Sequence, residues 1–215
     1  MKQEIAGPLY DQKIAKKYDQ FYQTSETGLF LREFLPKHIQ EGTILDIGCG
    51  TGWLLDYQRD IIKPENYVGV DISFPMAKML KGKHPEYNVV NGDITSITGK
   101  FNTGLGIFGP LSYMGYEEIK HINSIIDNKI LLMGYNENAF SKILKQYKRP
   151  FVKGEIYPTM LKYEILKTKF TDLNFYELSD YVVFTNFDNA DEIKIFNDAK
   201  KAASQLSTHV TQNYQ

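Results

Sequence analysis

The sequence has one cysteine, Cys49, and one tryptophan, Trp53. A single thiol cannot close an intramolecular disulfide, so a disulfide-stapled fold is excluded and a reducing cytoplasm is the expected setting. Charge of one sign is also missing. The 25 Lys and Arg residues meet 26 Asp and Glu, for a formal net charge of −1, and the basic residues are scattered rather than gathered in a run. That removes the simplest electrostatic route to a polyphosphate, so nucleic acid is not the favoured partner, although a folded domain can still gather a local basic face. No apolar stretch approaches the ~20 residues that span a bilayer, and the start from Met1 to Pro8 lacks the apolar centre of a secretory signal. No membrane partner is expected. Internal repeats and low-complexity linkers are absent, as are a His/Cys/Asp/Glu set at metal-ligand spacing and a G-x-S-x-G turn. No metal is therefore expected, and Ser-His-Asp hydrolase chemistry is not indicated.

What is present suits one globular domain. The 215 residues are 42% apolar and 24% charged, enough to bury a single sizeable core. Strand-like apolar runs lie at Thr43–Ile47, Tyr67–Asp71, Tyr87–Val90, Gly104–Phe108 and Lys129–Met133, with later strands at Phe175–Leu178 and Tyr181–Thr185. Near-continuous apolar runs separated by helix-length connections predict an α/β fold with a mostly parallel sheet buried on both faces. Asp11–Tyr22 and Ser25–Gln40 read as two helices, with Ser25 a cap and Pro36 a kink or break. About forty residues, 136–172, separate the fifth strand from the sixth, more than one crossover helix requires. They contain the helical stretch Ala139–Tyr147 and are read in part as an insertion near the site. Asn189–Glu192 has capping-box spacing before a helix whose stripe, Ile193 to Val210, reads as packing.

The most informative segment is Ile44-Leu45-Asp46-Ile47-Gly48-Cys49-Gly50-Thr51-Gly52, a buried strand running into three alternate glycines. Glycines let the backbone turn tightly and come within contact distance of a ligand, and the helix that follows aims its amides at the same place. In the dinucleotide pattern G-x-G-x-x-G the third glycine packs helix against strand; here that position is Trp53, which is too bulky to replace it.

The segment from Asp46 to Gly52 instead resembles the first motif of class I S-adenosylmethionine-dependent methyltransferases, and the resemblance extends over roughly Thr43 to Tyr113. It implies a Rossmann-like methyltransferase fold, a seven-stranded sheet flanked by helices, spanning 1–215 as one domain with 1–40 as a helical N-terminal lid. The cofactor implied is S-adenosylmethionine. Asp46, Gly48, Cys49, Gly50 and Gly52 supply its loop. Asp71, ending the second strand, is the candidate acceptor for the ribose hydroxyls, with an ordinary helix cap as the alternative. Ile72 and Met76 would flank the adenine, Asp93 and the backbone at Ile94 would meet its amino edge, and Asp93 also suits a turn. Phe108 falls beside the reactive sulfonium. Asn102 departs from the acid often found there, a change expected to affect where the strand begins.

A sulfonium already makes its methyl group electrophilic, so positioning an acceptor can dominate the chemistry. None of His38, His84, His121 and His209 follows a central strand, so no general base is assigned; His121 is open between catalysis and packing. Cys49 reads as a small packing residue rather than a nucleophile. Tyr113, Tyr116, Tyr135 and Asn136 lie near the carboxyl ends of the fourth and fifth strands and are candidates for the acceptor pocket, though tyrosines also fill cores. Ile14, Tyr18 and Tyr22 share one face of the first helix, which would lay Tyr18 against the cofactor and Tyr22 against the acceptor, with permanent packing of the stripe against the sheet as the alternative. The segment Tyr10–Asp19 resembles the leading helix of small-molecule members. The expected activity is therefore methyl transfer to a small-molecule acceptor by a monomer or homodimer. An RNA- or protein-directed enzyme, or a cofactor-binding protein without turnover, are the alternatives.

Overall fold

Every residue of β1 (Ile44–Ile47) is buried, which is possible only for a strand inside a sheet covered on both faces. In this computed structural model, residues 10–22, 32, 35–37, 39, 42–136, 160–177 and 181–186 are described. β1 pairs in parallel with β2 (Tyr67–Asp71) on one side and with β4 (Phe101–Gly106) on the other. β3 (Asn88–Asn91) extends the sheet past β2, and β5 (Ile126–Tyr135) extends it past β4. β7 (Tyr181–Thr185) runs antiparallel to β5, and β6 (Asn174–Glu177) antiparallel to β7, giving the order β3-β2-β1-β4-β5-β7-β6. β7 alone is reversed. The chain leaves β1 toward β2 and β3 and then returns to β4, so the carboxyl ends of β1 and β4 flank a topological switch point, where α/β sheets form their ligand crevice.

The expected seven-stranded, mostly parallel α/β sheet is present, with shifted boundaries. β4 starts at Phe101 rather than Gly104 because Phe101 pairs with Ile126 across an irregularity before Thr103. Asn102 marks that start: its Oδ1 accepts from the Thr43 amide at 3.0 Å and the Thr43 hydroxyl at 3.1 Å, clasping the beginnings of β1 and β4. β5 is longer than its apolar run, following its preceding helix without a loop.

Five helices are described. α1 (Gln12–Tyr22) starts where Asp11 accepts from the Ile14 amide at 2.9 Å, and it buries Ile14 and Ala15. α2 (Trp53–Gln58) leaves the glycine loop. α3 (Phe74–Lys83) is capped by the Ser73 hydroxyl and carries Pro75 in its first turn, where a missing N–H costs nothing. α4 (Tyr116–Ile125) begins with Glu118 accepting from the Gly115 amide at 2.9 Å. α5 (Met160–Lys169) crosses from β5 to β6 and seats Tyr163 and Leu166 in the core.

Side chains alternate between two cores. Ile44 and Leu105 join Leu55, Ile62 and Leu80 on one face, while Leu45 and Ile47 join Ile119, Ile122, Tyr163 and Phe184 on the other, the period-two pattern of a two-sided sheet. Each such side chain contributes roughly 1.5–3 kcal/mol of transfer free energy. Of the expected second helix, Arg32, the turn Leu35–Lys37 with Pro36, and Ile39 are described. Ser25, the stretch Ala139–Tyr147 and the terminal stripe lie outside the described residues. No described helix is long and apolar enough to cross a membrane.

Candidate functional site

The loop after β1 turns through left-handed backbone at Gly48, φ 67°, and Gly50, φ 56°. The amides of Gly48 and Cys49 both donate to the Val70 carbonyl, at 2.7 and 3.1 Å, which ties the loop to β2. A Cβ on Gly48 would lie 2.6 Å from Pro110 Cγ, so the missing side chain lets the segment after β4 close against the loop. A Cβ on Gly50 would have no neighbour nearer than 3.9 Å, leaving this backbone facing open space. Gly52 serves differently. A Cβ there would sit 2.9 Å from Leu80 Cγ, so this glycine lets α2 pack on α3 rather than facing the cleft.

Asp71 ends β2 and braces the loop: Oδ2 accepts from the Gly50 amide and Oδ1 from the Ser73 amide, both at 2.8 Å. Burial pushes its carboxyl up to about 6, against the pull of the two amides. The turn-capping alternative therefore describes part of its role, while the same carboxylate also lines the cleft. Asp93 is similar. Its Oδ1 accepts from the Thr95 amide at 2.8 Å and hydroxyl at 2.7 Å, capping the turn Ile94–Ser96, and it lines the cleft beside Ile94.

The cleft encloses about 840 Å³, open solvent included. It gathers Gly48, Gly50, Asp71, Ile72, Met76, Asp93, Ile94 and Phe108 with Tyr18 and Tyr113. Phe108 has φ 59°, the sole positive value among the described non-glycine residues, a strained conformation of the kind that collects at functional sites. A smaller adjoining recess of about 360 Å³, again including open solvent, is lined by Asp46, Cys49, Thr51 and Trp53 together with Gly48, Gly50, Tyr18 and Phe108. Burial pushes the Asp46 carboxyl up to about 7, opposed by a 2.8 Å hydrogen bond that Oδ2 accepts from the Tyr67 hydroxyl. Burial also pushes the Cys49 thiol up, which fits packing rather than nucleophilic use. Thr51 Oγ1 is buried with no hydrogen-bond partner among the described residues, as is Thr103 Oγ1, which lines neither the cleft nor the recess.

Three of the acceptor candidates lie elsewhere. Tyr116 is 42% exposed at the start of α4 and packs on Phe170, with ring centroids 5.3 Å apart. Tyr135 and Asn136 are buried but do not line the cleft. β7 covers that end of β5, with Tyr135 opposite Tyr181 and the two rings 5.5 Å apart. Tyr22 lies on α1, and its side chain is outside the described residues. His121 Nε2 lies 2.9 Å from the Ile97 carbonyl and His84 Nε2 lies 2.8 Å from Asp56; neither lines the cleft, and His38 and His209 are outside the described residues. No metal-binding group of His, Cys, Asp and Glu occurs among the described residues.

Several lining residues carried no usable sequence signal. Tyr10 hangs over the cleft with its hydroxyl 3.0 Å from that of Tyr113, while its carbonyl accepts from the Ser73 hydroxyl at 2.7 Å. Pro110, Met114 and Glu118 also line it. The spacing Gly115 to Glu118 signals a capping box, but nothing in it points to the cleft. Around the rim the rings run from Tyr113 to Tyr10, Tyr18, Trp53 and Phe108, with Tyr18 stacked on Trp53 at 4.8 Å and 19°.

A parallel sheet with reversed β7, a glycine loop after β1 and acids after β2 and β3 define a Rossmann-like methyltransferase fold. Residues 18–127 match the sequence model of a family described as a methyltransferase domain, and the chain belongs to that family. An uncharacterized protein of Methanocaldococcus jannaschii is 30% identical over 189 residues, covering 80% of this chain and 72% of its own. Among solved structures, an S-adenosylmethionine-dependent methyltransferase of Thermotoga maritima superposes with a TM-score of 0.58 at 15% identity, covering 84% of this chain and 98% of that one. The plantazolicin methyltransferase BamL, solved with a triazolic desmethylPZN analogue and S-adenosylhomocysteine, gives 0.56 at 14%, covering 92% and 83%. At such identities the likeness is one of fold.

Proposed function

We propose that this enzyme transfers the methyl group of S-adenosylmethionine to a small-molecule acceptor. The observation that carries the reading is the convergence of the Gly48–Gly50 loop, Asp71 and Asp93 on one cleft. The residues fit the group. Gly50 offers bare backbone, Thr51 an unmatched hydroxyl, and each Asp71 oxygen, already held by one amide, has a further lone pair for a ribose hydroxyl. Ile72 and Met76 would flank the adenine, Asp93 and Ile94 would meet its polar edge, and Asp46 with the loop would hold the methionine end. When bound, the cofactor supplies an electrophilic methyl group on sulfur.

The chain's own work is to orient, exclude water and place the acceptor in line. Phe108, with its backbone fixed in a strained turn, would border the sulfur. The acceptor side narrows to Tyr113 and Tyr10, whose paired hydroxyls can donate to or accept from a polar acceptor, and to Tyr22 by its place one turn beyond Tyr18 on α1. The whole chain would act as one domain, with α1 as a lid across the cleft. Support for a small acceptor comes from the aromatic rim and from the fold shared with the plantazolicin enzyme. The balanced charge and the lone, buried Cys49 suit a cytoplasmic enzyme.

Titration calorimetry with S-adenosylmethionine, S-adenosylhomocysteine and NAD tests the cofactor. The first two are expected to bind and NAD is not; tight NAD binding with no heat from the other two would refute the reading. Turnover with pooled metabolites but not with RNA or protein would establish the acceptor class.

A further inference from the structure

Tyr67 stands at the first position of β2 and lines neither the cleft nor the recess. It is 2% exposed, and its ring meets Tyr87 edge-on, with centroids 5.4 Å apart at 90°. Packing alone would be served equally by phenylalanine. The hydroxyl has a single hydrogen-bond partner among the described residues, Oδ2 of Asp46 at 2.8 Å. β2 makes room for that reach. At Gly69, two residues on and therefore on the same face, a Cβ would lie 2.7 Å from the Tyr67 hydroxyl and 3.0 Å from Cys49 Sγ. Strand interiors ordinarily disfavour glycine, so its presence here is explained by the phenol passing beneath the loop.

Asp46 thus has one oxygen occupied from below while the residue lines the recess above. The groups that bear on its charge are Tyr67 from β2, Asp71 from the end of β2 and Cys49 from the loop. Burial and Asp71 both favour the neutral acid; the Tyr67 hydrogen bond acts in the opposite sense. We propose that Tyr67 is a positioning residue for cofactor binding, its hydroxyl favouring the ionised form of Asp46 and aiming it into the recess to receive the ammonium group of the cofactor. Near neutral pH the empty protein carries a proton on Asp46 in part of the population. Binding the ammonium group expels that proton to solvent, because a carboxylate facing a cation is stabilised in its charged form. This inference rests on the S-adenosylmethionine reading.

The test uses S-adenosylhomocysteine, which keeps the ammonium group but lacks the sulfonium. Its affinity is measured by calorimetry from about pH 6 to about pH 8.5, in buffers of differing ionisation enthalpy, for the wild type, Tyr67→Phe and Asp46→Asn. Wild-type affinity is expected to rise with pH to a plateau, with proton release on the rising limb. Tyr67→Phe should move that limb up by about one pH unit, or about tenfold in affinity below the plateau, the worth of one hydrogen bond to a charged acceptor. On the plateau the two proteins should agree within about twofold. Asp46→Asn should flatten the limb down to where Asp71 titrates. An independent readout needs no ligand: the carboxyl carbon shift of Asp46, followed by NMR in the empty protein, should titrate at higher pH in Tyr67→Phe. An unmoved limb, an unmoved carboxyl titration, or a uniform loss of affinity at every pH overturns the proposal, the last because it is the signature of a merely structural tyrosine. No binding by the wild type at any pH would defeat the cofactor reading and, with it, this one.

Discussion

Replacing Asp46 by asparagine is expected to stabilise the empty protein at alkaline pH while weakening its hold on S-adenosylhomocysteine. The carboxyl is pushed by burial from its ordinary 3.8 to about 7, so the folded state carries a proton that the unfolded chain releases between about pH 4 and pH 7. A folded-state value above the unfolded one makes this group's contribution most favourable in acid and progressively unfavourable as pH rises through that window. At 1.36 kcal/mol per pH unit, the displacement costs about 4 kcal/mol at pH 8, an upper bound because water in the recess screens the charge. Asparagine keeps an oxygen to accept from the Tyr67 hydroxyl, bonded at 2.8 Å in the wild type, and removes the charge. Its advantage should grow by about 2 kcal/mol between pH 5.5 and pH 8. Urea unfolding of both proteins at the two pH values, with equal m-values as the check on a common unfolded state, measures this difference directly. An advantage independent of pH, or an asparagine variant less stable at pH 8, would refute the reasoning. The trade of stability for binding is that of a site holding a charge where the fold alone would not keep one.

Asp71→Ala removes the acceptor of two backbone amides and should weaken S-adenosylhomocysteine binding by more than about 1 kcal/mol with the sheet intact; unchanged affinity by calorimetry would show that Asp71 serves the turn alone. Gly48→Ala places a Cβ 2.6 Å from Pro110 Cγ in left-handed backbone and should cost about 1–3 kcal/mol in thermal unfolding, with affinity falling in parallel. For the lid, hydrogen exchange over residues 10–22 should slow on addition of S-adenosylhomocysteine; equal exchange with and without it would mean that α1 is permanently packed.

Much of the fold is written locally. β1, β2 and β7 could be read almost to the residue because each is a short apolar run bounded by polar or glycine positions. β5 could not, since Asp127, Asn128 and Lys129 break its apolar pattern, and its start is set by the pairing of Ile126 with Phe101 and of Lys129 with Thr103. That Gly48, Gly50, Asp71 and Asp93 share one cleft was legible for the same local reason, since each lies at or within three residues of the carboxyl end of a strand. Tyr135 ends β5 and Asn136 follows it, yet neither lines the cleft; Tyr135 pairs with Tyr181 of the antiparallel β7, and nothing local in the sequence announces that partner. Tyr10 and Tyr67 could not have been found, because an isolated tyrosine reads the same whether its hydroxyl reaches a partner or only fills space.

The partners of Tyr10 join the part of the cleft proposed for the cofactor to the part proposed for the acceptor. Asp71 receives the amide of Gly50 on one oxygen and that of Ser73 on the other; the Ser73 hydroxyl holds the Tyr10 carbonyl, and the Tyr10 hydroxyl lies 3.0 Å from that of Tyr113. Each link is short and most are at least half-buried, where a hydrogen bond is electrostatically stronger than in water. If α1 closes over a bound cofactor, as proposed, Tyr10 cannot shift without disturbing either Ser73, which caps α3, or Tyr113. On the proposed reading, the segment that shields the cofactor would also set the pair of hydroxyls offered to the acceptor, so that excluding water and orienting the acceptor would be one event.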